Sequence, residues 1–327
     1  MFALRRSSAM CSWVALELNI LRFLPIMTSE RLELSLENSL KYFLVQRIGS
    51  ILFLTRVLML EGATYSVFPA LLTLSILLKL GAAPLHGWFI SLIGAVSIRT
   101  LLYLSTVQKI IPLIILSRLV VGGPLLWAVL LATLAAAFSR GYSNLPLRKI
   151  LGVSSLNNLV WLVLASQIRL KLLRIVFSIY RFLLASVVKA YNRFGRDLNF
   201  RLGAKTYAER CCTIFSLMSL GGMPPFLGFL GKALVLKEAL GRVRIAFLLI
   251  LVTNSLMILM YYLNIVISAT LVTPSVKLSA HSPSHTARLH LQSLSILLFN
   301  ALALTLLFNW SFEKHAIVNG GRKHISS

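Results

Sequence analysis

Four charged residues stand inside long apolar segments of this sequence: Glu17, Lys79, Lys109 and Lys232. A charge at the centre of a bilayer costs about 2.5–3.5 kcal/mol on insertion scales, so each of them requires an explanation. Burial disfavours the charged forms of lysine and glutamate and a nearby opposite charge favours them, so moving a partner can switch proton occupancy. The residue types therefore predict a proton relay. The alternative is a static ion pair that only orients helices, although the lysines outnumber the acids.

Two helix-breaking motifs interrupt apolar runs close to these lysines. Lys79 opens the first motif, KLGAAP, and Lys232 follows seven residues after the second, GGMPP. Proline removes a backbone donor, and glycine lowers helix stability. Paired discontinuous helices in two halves of a chain indicate an inverted repeat around a transport path, whereas two ordinary proline kinks are the alternative. The predicted helix breaks are Gly81, Pro84, Gly221, Gly222, Pro224 and Pro225.

The composition predicts the elements that must position these residues. Of 327 residues, 57% are hydrophobic and 13% are charged, and the mean hydropathy is +0.83. An average soluble domain is about 25% charged, so the values exclude a disordered chain and argue against a soluble α/β enzyme. Because a helix needs about 20 mostly apolar residues to cross a bilayer, we predict an all-α polytopic membrane protein of about ten transmembrane helices. The spans lie near 10–28, 38–60, 65–95, 97–119, 124–139, 148–167, 170–192, 208–240, 243–270 and 290–312.

We interpret 1–327 as a single transmembrane bundle. Its first part, 10–192, contains the break at 81–84, and its second part, 208–312, contains the break at 221–225. The polar connections between the spans are short, which favours helices packed together.

The charge balance is strongly basic, with 33 Lys+Arg against 9 Asp+Glu and a formal net charge of +24. The basic residues stand singly between apolar runs, and no nucleic-acid-binding motif is present, so no nucleic-acid partner is expected. Basic residues at span ends anchor to anionic lipid headgroups instead. Arg47 and Arg56 lie in the second span, and we assign them no part in the proton relay. The span 170–192 carries a basic stripe for which we favour a partner or lipid contact: Lys171, Arg174, Arg181 and Lys189.

Residues typical of metal, haem or nucleotide chemistry do not form recognisable motifs. The three cysteines have no CxxC spacing, and no GxGxxG, P-loop, GxSxG or HExxH motif occurs. His86 follows the first break and could belong to the proton path, although a lone histidine is more often a packing residue. We therefore expect no metal and no cofactor in this chain.

Several short motifs that occur in order over about residues 11–240 carry a family resemblance. They are ELNIL at 17–21 with FLP at 23–25, KYFL at 41–44 with Gln46, KLGAAP at 79–84 with His86 and Trp88, Gln108-Lys109, LRKIL at 147–151 with Ser154-Ser155, and SLGGMPP at 219–225 with Gly228-Phe229 and Lys232. In this combination the chain resembles the chain 2 family of mitochondrial NADH–ubiquinone oxidoreductase, respiratory complex I.

The resemblance implies an antiporter-like fold of two inverted helical repeats with two discontinuous helices, in the mitochondrial inner membrane. It implies that Glu17, Lys79, Lys109 and Lys232 form the axis of proton translocation, with His86 and Asn158 as possible members of the path. The chain would be a core membrane-arm subunit of a proton-pumping NADH:ubiquinone reductase, a translocase, with no redox step of its own.

The resemblance also implies where the cofactors and partners lie. NADH, FMN, the Fe–S clusters and ubiquinone would bind to other subunits. The expected partners are the other membrane-arm subunits and phospholipids, including anionic lipid such as cardiolipin.

Four features depart from the family pattern. The first helix expected before Trp13 is missing or shortened. Asn158 stands where the family's Ser-Ser-x-x-His segment has its histidine, and asparagine hydrogen-bonds without carrying a proton. The stretch 88–91 lacks the usual proline and acid, and Arg22 and Arg56 are additions.

Two other functions stay open at this point. One is a stand-alone or multisubunit cation/proton antiporter of the related fold, which would be active when purified alone. The other is a structural or assembly protein, for which neutralising the buried charges would leave pumping intact.

Overall fold

The described part of the chain is entirely helical in a computed structural model. The structure describes residues 6–29, 33–58, 67–118, 124–141, 147–194 and 207–271, and no strand occurs within these ranges. The helices are α1 (Arg6–Thr28), α2 (Glu33–Leu58), α3 (Val67–Leu80), α4 (Gly87–Ala95), α5 (Ile98–Ser105), α6 (Val107–Arg118), α7 (Pro124–Gly141), α8 (Leu147–Ile168), α9 (Leu170–Phe194), α10 (Tyr207–Gly221), α11 (Leu227–Ala239) and α12 (Ile245–Leu271).

The helices coincide with the predicted apolar segments, so the all-α prediction is confirmed for the described residues. Four of them are long and apolar enough to cross a membrane by length and composition: Ala9–Thr28, Ile98–Arg118, Arg148–Ile168 and Ile245–Ile267. Helices α2 and α9 are equally long but carry more charged residues. The predicted span at 290–312 lies outside the described residues.

Helices α3 and α10 end in the same way. Gly81 follows α3 with φ 75°, its N–H donates to the carbonyl of Leu78, and the next N–H donates to Leu77. Gly222 follows α10 with φ 86°. As at α3, its N–H donates to the carbonyl three residues earlier, and the next N–H donates to the carbonyl five residues earlier. This pattern satisfies helix-terminal carbonyls and needs a left-handed residue, which glycine adopts without steric cost. In both places the prolines lie beyond the helix end, in the connection to the next helix.

A third discontinuity separates α5 from α6, where we predicted one uninterrupted span. The hydroxyls of Ser105 and Thr106 each donate at 2.6 Å to the carbonyl four residues earlier. Such back-bonding competes with the helical bonds and bends helices. Pro112 in α6 adds to the effect, because it offers no N–H to the carbonyl of Gln108. The helix is interrupted at Thr106, three residues before Lys109.

Helix α8 forms the centre of the bundle. Its membrane-length window is 83% buried, against 28% for α1 and 33% for α12, and it packs against α4, α6, α7, α9 and α11. Its buried face includes polar side chains such as Ser155 and Asn157, which other helices shield from the surroundings of the bundle. Gly152 permits the contact with α4, since a Cβ atom there would come within 2.6 Å of the Cδ1 of Ile93. The central helix thus links the helices that carry Lys109 and Lys232.

Candidate functional site

The first part of the candidate site lies where α1, α2 and α3 meet. Glu17 is 9% exposed, and its Oε2 lies 2.9 Å from the Nη1 of Arg47. Lys79 donates from Nζ to the Oγ of Ser50 at 2.6 Å, and both Glu17 and Arg47 lie within electrostatic range of it. The aliphatic part of Lys79 packs on Gly49, where a Cβ atom would come within 2.9 Å of the lysine Cγ. The fold brings Glu17 and Lys79 together, but the direct partner of Glu17 is Arg47.

Arg47 therefore has a place in the site that the sequence interpretation did not assign. Its side chain is 42% exposed, and its guanidinium carbon lies 5.0 Å from the centre of the Phe43 ring, a distance typical of cation–π contacts. The spacing of four residues within α2 could have indicated the Phe43 contact. The contact with Glu17 depends on how α1 and α2 pack, which residue spacing does not reveal.

A narrow polar cavity lies between Lys79 and Lys109. Helices α1 to α6 all contribute to its wall, and it has room for about one water molecule. Three side chains of the wall form a network: the Nδ2 of Asn19 donates to the Oε1 of Gln108 at 2.7 Å, and the Tyr42 hydroxyl donates to the same oxygen at 3.1 Å. The cavity joins the two lysines through hydrogen-bonding groups.

Lys109 follows the α5–α6 interruption and is only 2% exposed. Its Nζ donates to the Oγ of Ser155 on α8 at 2.8 Å and to the Ser155 carbonyl at 3.2 Å. The ammonium also lies 5.3 Å from the centre of the Phe89 ring, within cation–π range. Lys109 thereby connects the first cavity to the central helix.

Lys232 on α11 lies against the break that ends α10. Its Nζ donates to the carbonyl of Gly221 at 2.8 Å, and the C-terminal end of a helix carries negative partial charge that favours a cation. A Cβ atom on Gly222 would come within 2.7 Å of this Nζ, and one on Gly228 would collide with the backbone carbonyl of Ser219. The break, the close approach of α10 and α11 and the lysine form one local structure.

A second cavity opens between α8, α9, α10 and α11, next to Lys232. It has room for about two water molecules. Its polar lining consists of Asn158, Trp161, Tyr180 and Lys232, and the remainder of its wall is apolar or glycine. The sequence interpretation had singled out Asn158 and Lys232 but neither of the two aromatic residues.

The remaining predicted path residues lie apart from one another. Asn158 lines the second cavity. His86 lies in the connection between α3 and α4, where its Nδ1 is 3.1 Å from the carbonyl of Pro84, and it lines neither of the two cavities. The structure therefore places Asn158, but not His86, beside a lysine of the site.

The three lysines share one chemical feature. Within the described ranges, no carboxylate lies within 4.0 Å of their ammonium groups, and the only ion pair of Glu17 there is with Arg47. Each lysine donates to a hydroxyl or carbonyl oxygen instead. An ion pair is thus found between Glu17 and Arg47 and not at the lysines.

Comparison with known proteins shows the family to which this arrangement belongs. Residues 7–258, well over half of the chain, match the family described as "NADH:quinone oxidoreductase/Mrp antiporter, TM". The chain belongs to this family. It is 34% identical over 265 residues to NADH-ubiquinone oxidoreductase chain 2 of Anopheles gambiae, with 78% of this chain and 77% of that one covered. It is 32% identical over 286 residues to chain 2 of Lumbricus terrestris, with 85% of each chain covered.

Solved structures show the same fold at lower identity. A chain of respiratory complex I from Thermus thermophilus matches with a TM-score of 0.76 at 21% identity, over 89% of this chain and 72% of that one. A chain of the Mrp complex from a Dietzia species matches with a TM-score of 0.62, also at 21% identity, over 77% of this chain and 55% of that one. At such identities the similarity establishes the fold alone.

Proposed function

We propose that this chain is an antiporter-like membrane subunit of respiratory complex I and provides a path for protons. Family membership and the chain 2 names of its relatives support the complex. The observation that carries the proton path is the placement of Lys79, Lys109 and Lys232 on neutral oxygen atoms, with Lys79 and Lys109 buried and Lys232 partly buried. A buried lysine on a neutral oxygen can lose its proton without leaving an unpaired carboxylate, whereas breaking a buried ion pair is strongly unfavourable.

The proposed path starts at Glu17 and continues through Lys79 to Lys109. The first cavity links these two lysines, and Ser155 accepts from Lys109 on the other side. Movement of the Lys79 ammonium between Ser50 and Glu17 would change the charge that surrounds it. Electrostatic coupling of this kind would tie proton steps here to conformational changes elsewhere in the complex.

The interrupted helices fit this path. We propose that α3 with α4 and α10 with α11 are two discontinuous membrane helices in inverted repeats, among about ten spans. The first would belong to the part 10–192 and the second to the part 208–312. Their matching glycine-terminated ends and the lysine beside each end support this arrangement.

We propose no redox step for this chain. We propose that NADH, FMN, the Fe–S clusters and ubiquinone act in other subunits and that the chain contributes to a translocase only through proton movement. Its working groups are lysine, glutamate and hydroxyl side chains, which move protons and not electrons.

The exposed face of α9 supports partners in the membrane. Lys171, Arg174, Arg181 and Lys189 are all exposed, and Arg181 lies near the middle of the 25-residue helix. We propose that another membrane-arm subunit covers the middle of this face and that anionic lipid, such as cardiolipin, binds its ends, in the mitochondrial inner membrane. A charge left in hydrocarbon would be costly, whereas a partner or a headgroup relieves that cost.

Isolation of the chain under native conditions tests the proposal. We expect an affinity-tagged chain to copurify with a large membrane complex that has NADH:ubiquinone reductase activity. The control is the chain purified alone in liposomes with a pH gradient, in which we expect no exchange of Na⁺ or K⁺ for protons. Recovery of a stable monomer that performs such exchange would contradict the proposal and favour a stand-alone antiporter.

A further inference from the structure

Tyr180 on α9 is a deeply buried tyrosine with an unpartnered hydroxyl. Its side chain belongs to the apolar core at 6% exposure, yet no described donor or acceptor meets the hydroxyl with hydrogen-bond geometry. Leaving a buried hydroxyl unpartnered is costly, so buried polar groups of this kind require an explanation.

The position of Tyr180 supplies one, because its side chain lies between two lysines. On one side its hydroxyl lies close enough to the side chains of Ser155 and Ser105 to interact with them. The Oγ of Ser155 in turn accepts a hydrogen bond from the Nζ of Lys109 at 2.8 Å. On the other side Tyr180 lines the second cavity together with Lys232. Among the described cavity-lining residues, Tyr180 is the one whose hydroxyl faces the serine that binds Lys109.

The second cavity is suited to water. It has room for about two water molecules, and its polar lining can supply the two to four partners that a buried water needs. The Nε1 of Trp161, another lining residue, is also buried without a partner. Asn158 can orient water in the same cavity, but its amide neither gains nor loses a proton at neutral pH.

We infer that Tyr180 relays protons between Lys109 and Lys232 across this cavity, an inference that rests on the proposed function. The proton leaves the Lys109 ammonium for the Ser155 oxygen as the Ser155 hydroxyl proton passes to the Tyr180 oxygen. The Tyr180 proton then passes through cavity water to the neutral amine of Lys232. Each hydroxyl and each water ends with its original number of protons, and the net change is one proton moved from Lys109 to Lys232.

Replacing single hydroxyls in the assembled complex tests the inference. Tyr180→Phe removes only the hydroxyl and keeps the ring, and Tyr180→His restores a group that can accept and donate a proton. Tyr262→Phe is the control, because its hydroxyl is also buried and unpartnered and lies within electrostatic range of Tyr180, but the residue does not line the cavity. The measurement is the ratio of protons pumped to NADH oxidised in proteoliposomes, per amount of complex assembled on native gels, with Lys109→Met as reference.

The relay predicts that Tyr180→Phe lowers the ratio toward that of Lys109→Met, that Tyr180→His recovers part of it, and that Tyr262→Phe keeps the wild-type ratio. A purely structural role predicts the reverse order, with Phe tolerated better than His, and this result would overturn the inference. An unchanged ratio in Tyr180→Phe, or an equal loss in Tyr262→Phe, would also overturn it. If Lys109→Met itself keeps the wild-type ratio, the proposed function fails and not only the role of Tyr180.

Discussion

Glu17 has two cationic neighbours, Arg47 and Lys79, but only one of its carboxylate oxygens forms an ion pair. Its Oε2 pairs with Arg47 at 2.9 Å, whereas its Oε1 is buried without a partner. Lys79 lies within electrostatic range but donates to Ser50. A carboxylate with a free oxygen and a second cation close by can exchange partners, so we expect Arg47 to compete with Lys79 for Glu17.

Replacement of Arg47 tests this competition. In Arg47→Leu the carboxylate loses its direct partner, and Lys79 remains within electrostatic range of it. We expect Lys79 to be held more tightly and coupled NADH oxidation to fall several-fold, because charge-assisted hydrogen bonds are stronger than neutral ones. The measurement is NADH oxidation by assembled complex in tightly coupled vesicles. The control is Arg22→Leu, which removes an exposed arginine of α1, and equal effects of the two substitutions would contradict the competition.

At the level of residues, the sequence predicted the charges but not their partners. Glu17, Lys79, Lys109 and Lys232 could be found because a charge in an apolar segment is conspicuous. Arg47 and Tyr180 look ordinary in the sequence. Their importance comes from contacts between helices far apart in the chain, and such contacts leave no periodic signal.

Two helix breaks of the same construction occur beside two of the lysines. At each break a glycine with positive φ ends the helix, and prolines follow in the connection. The break at α10 also holds its lysine directly, through the carbonyl of Gly221. Gly222 therefore serves both the backbone turn and the lysine, because it adopts the positive φ and leaves room for the Nζ of Lys232.

A pair of glycine substitutions separates these two roles of Gly222. An alanine at a left-handed position costs about 1–2 kcal/mol, and Gly241 has the same conformation but open space, with no atom within 4 Å of the position that a Cβ would take. We expect Gly241→Ala to lower thermal stability slightly and to keep pumping. Gly222→Ala adds a Cβ atom 2.7 Å from the Nζ of Lys232, so we expect it to lower the ratio of protons to NADH as well. Equal proton ratios in the two variants, measured in assembled complex, would contradict a role of the break in placing Lys232.

At the level of elements, breaks made by glycine and proline could be predicted and the third break could not. The motifs at 81–84 and 221–225 contain residues that strongly disfavour a helix. The interruption at Thr106 arises from two hydroxyls that bond back to the preceding turn, together with Pro112. Serine and threonine occur in many uninterrupted helices, so their presence did not indicate this break.

In the whole molecule, the central helix α8 lies between two cavities that contain lysines of the site. The first cavity is enclosed by α1 to α6 and the second by α8 to α11. Ser155 on α8 binds Lys109 on one side, and Asn158 and Trp161 of the same helix line the second cavity. Hydropathy does not single out this helix as the central one, because its mean hydropathy of 1.3 is the lowest of the four candidate spans, and chain order alone does not predict which helices surround it.

We propose that protons pass through this chain by way of Lys109. The most direct measurement is the ratio of protons pumped to NADH oxidised by complex carrying Lys109→Met, in proteoliposomes and at equal amounts of assembled complex. Lys237→Met is the matched control, because it removes an exposed lysine of α11. We expect a lower ratio in Lys109→Met and a wild-type ratio in Lys237→Met. A wild-type ratio in fully assembled Lys109→Met complex would contradict it.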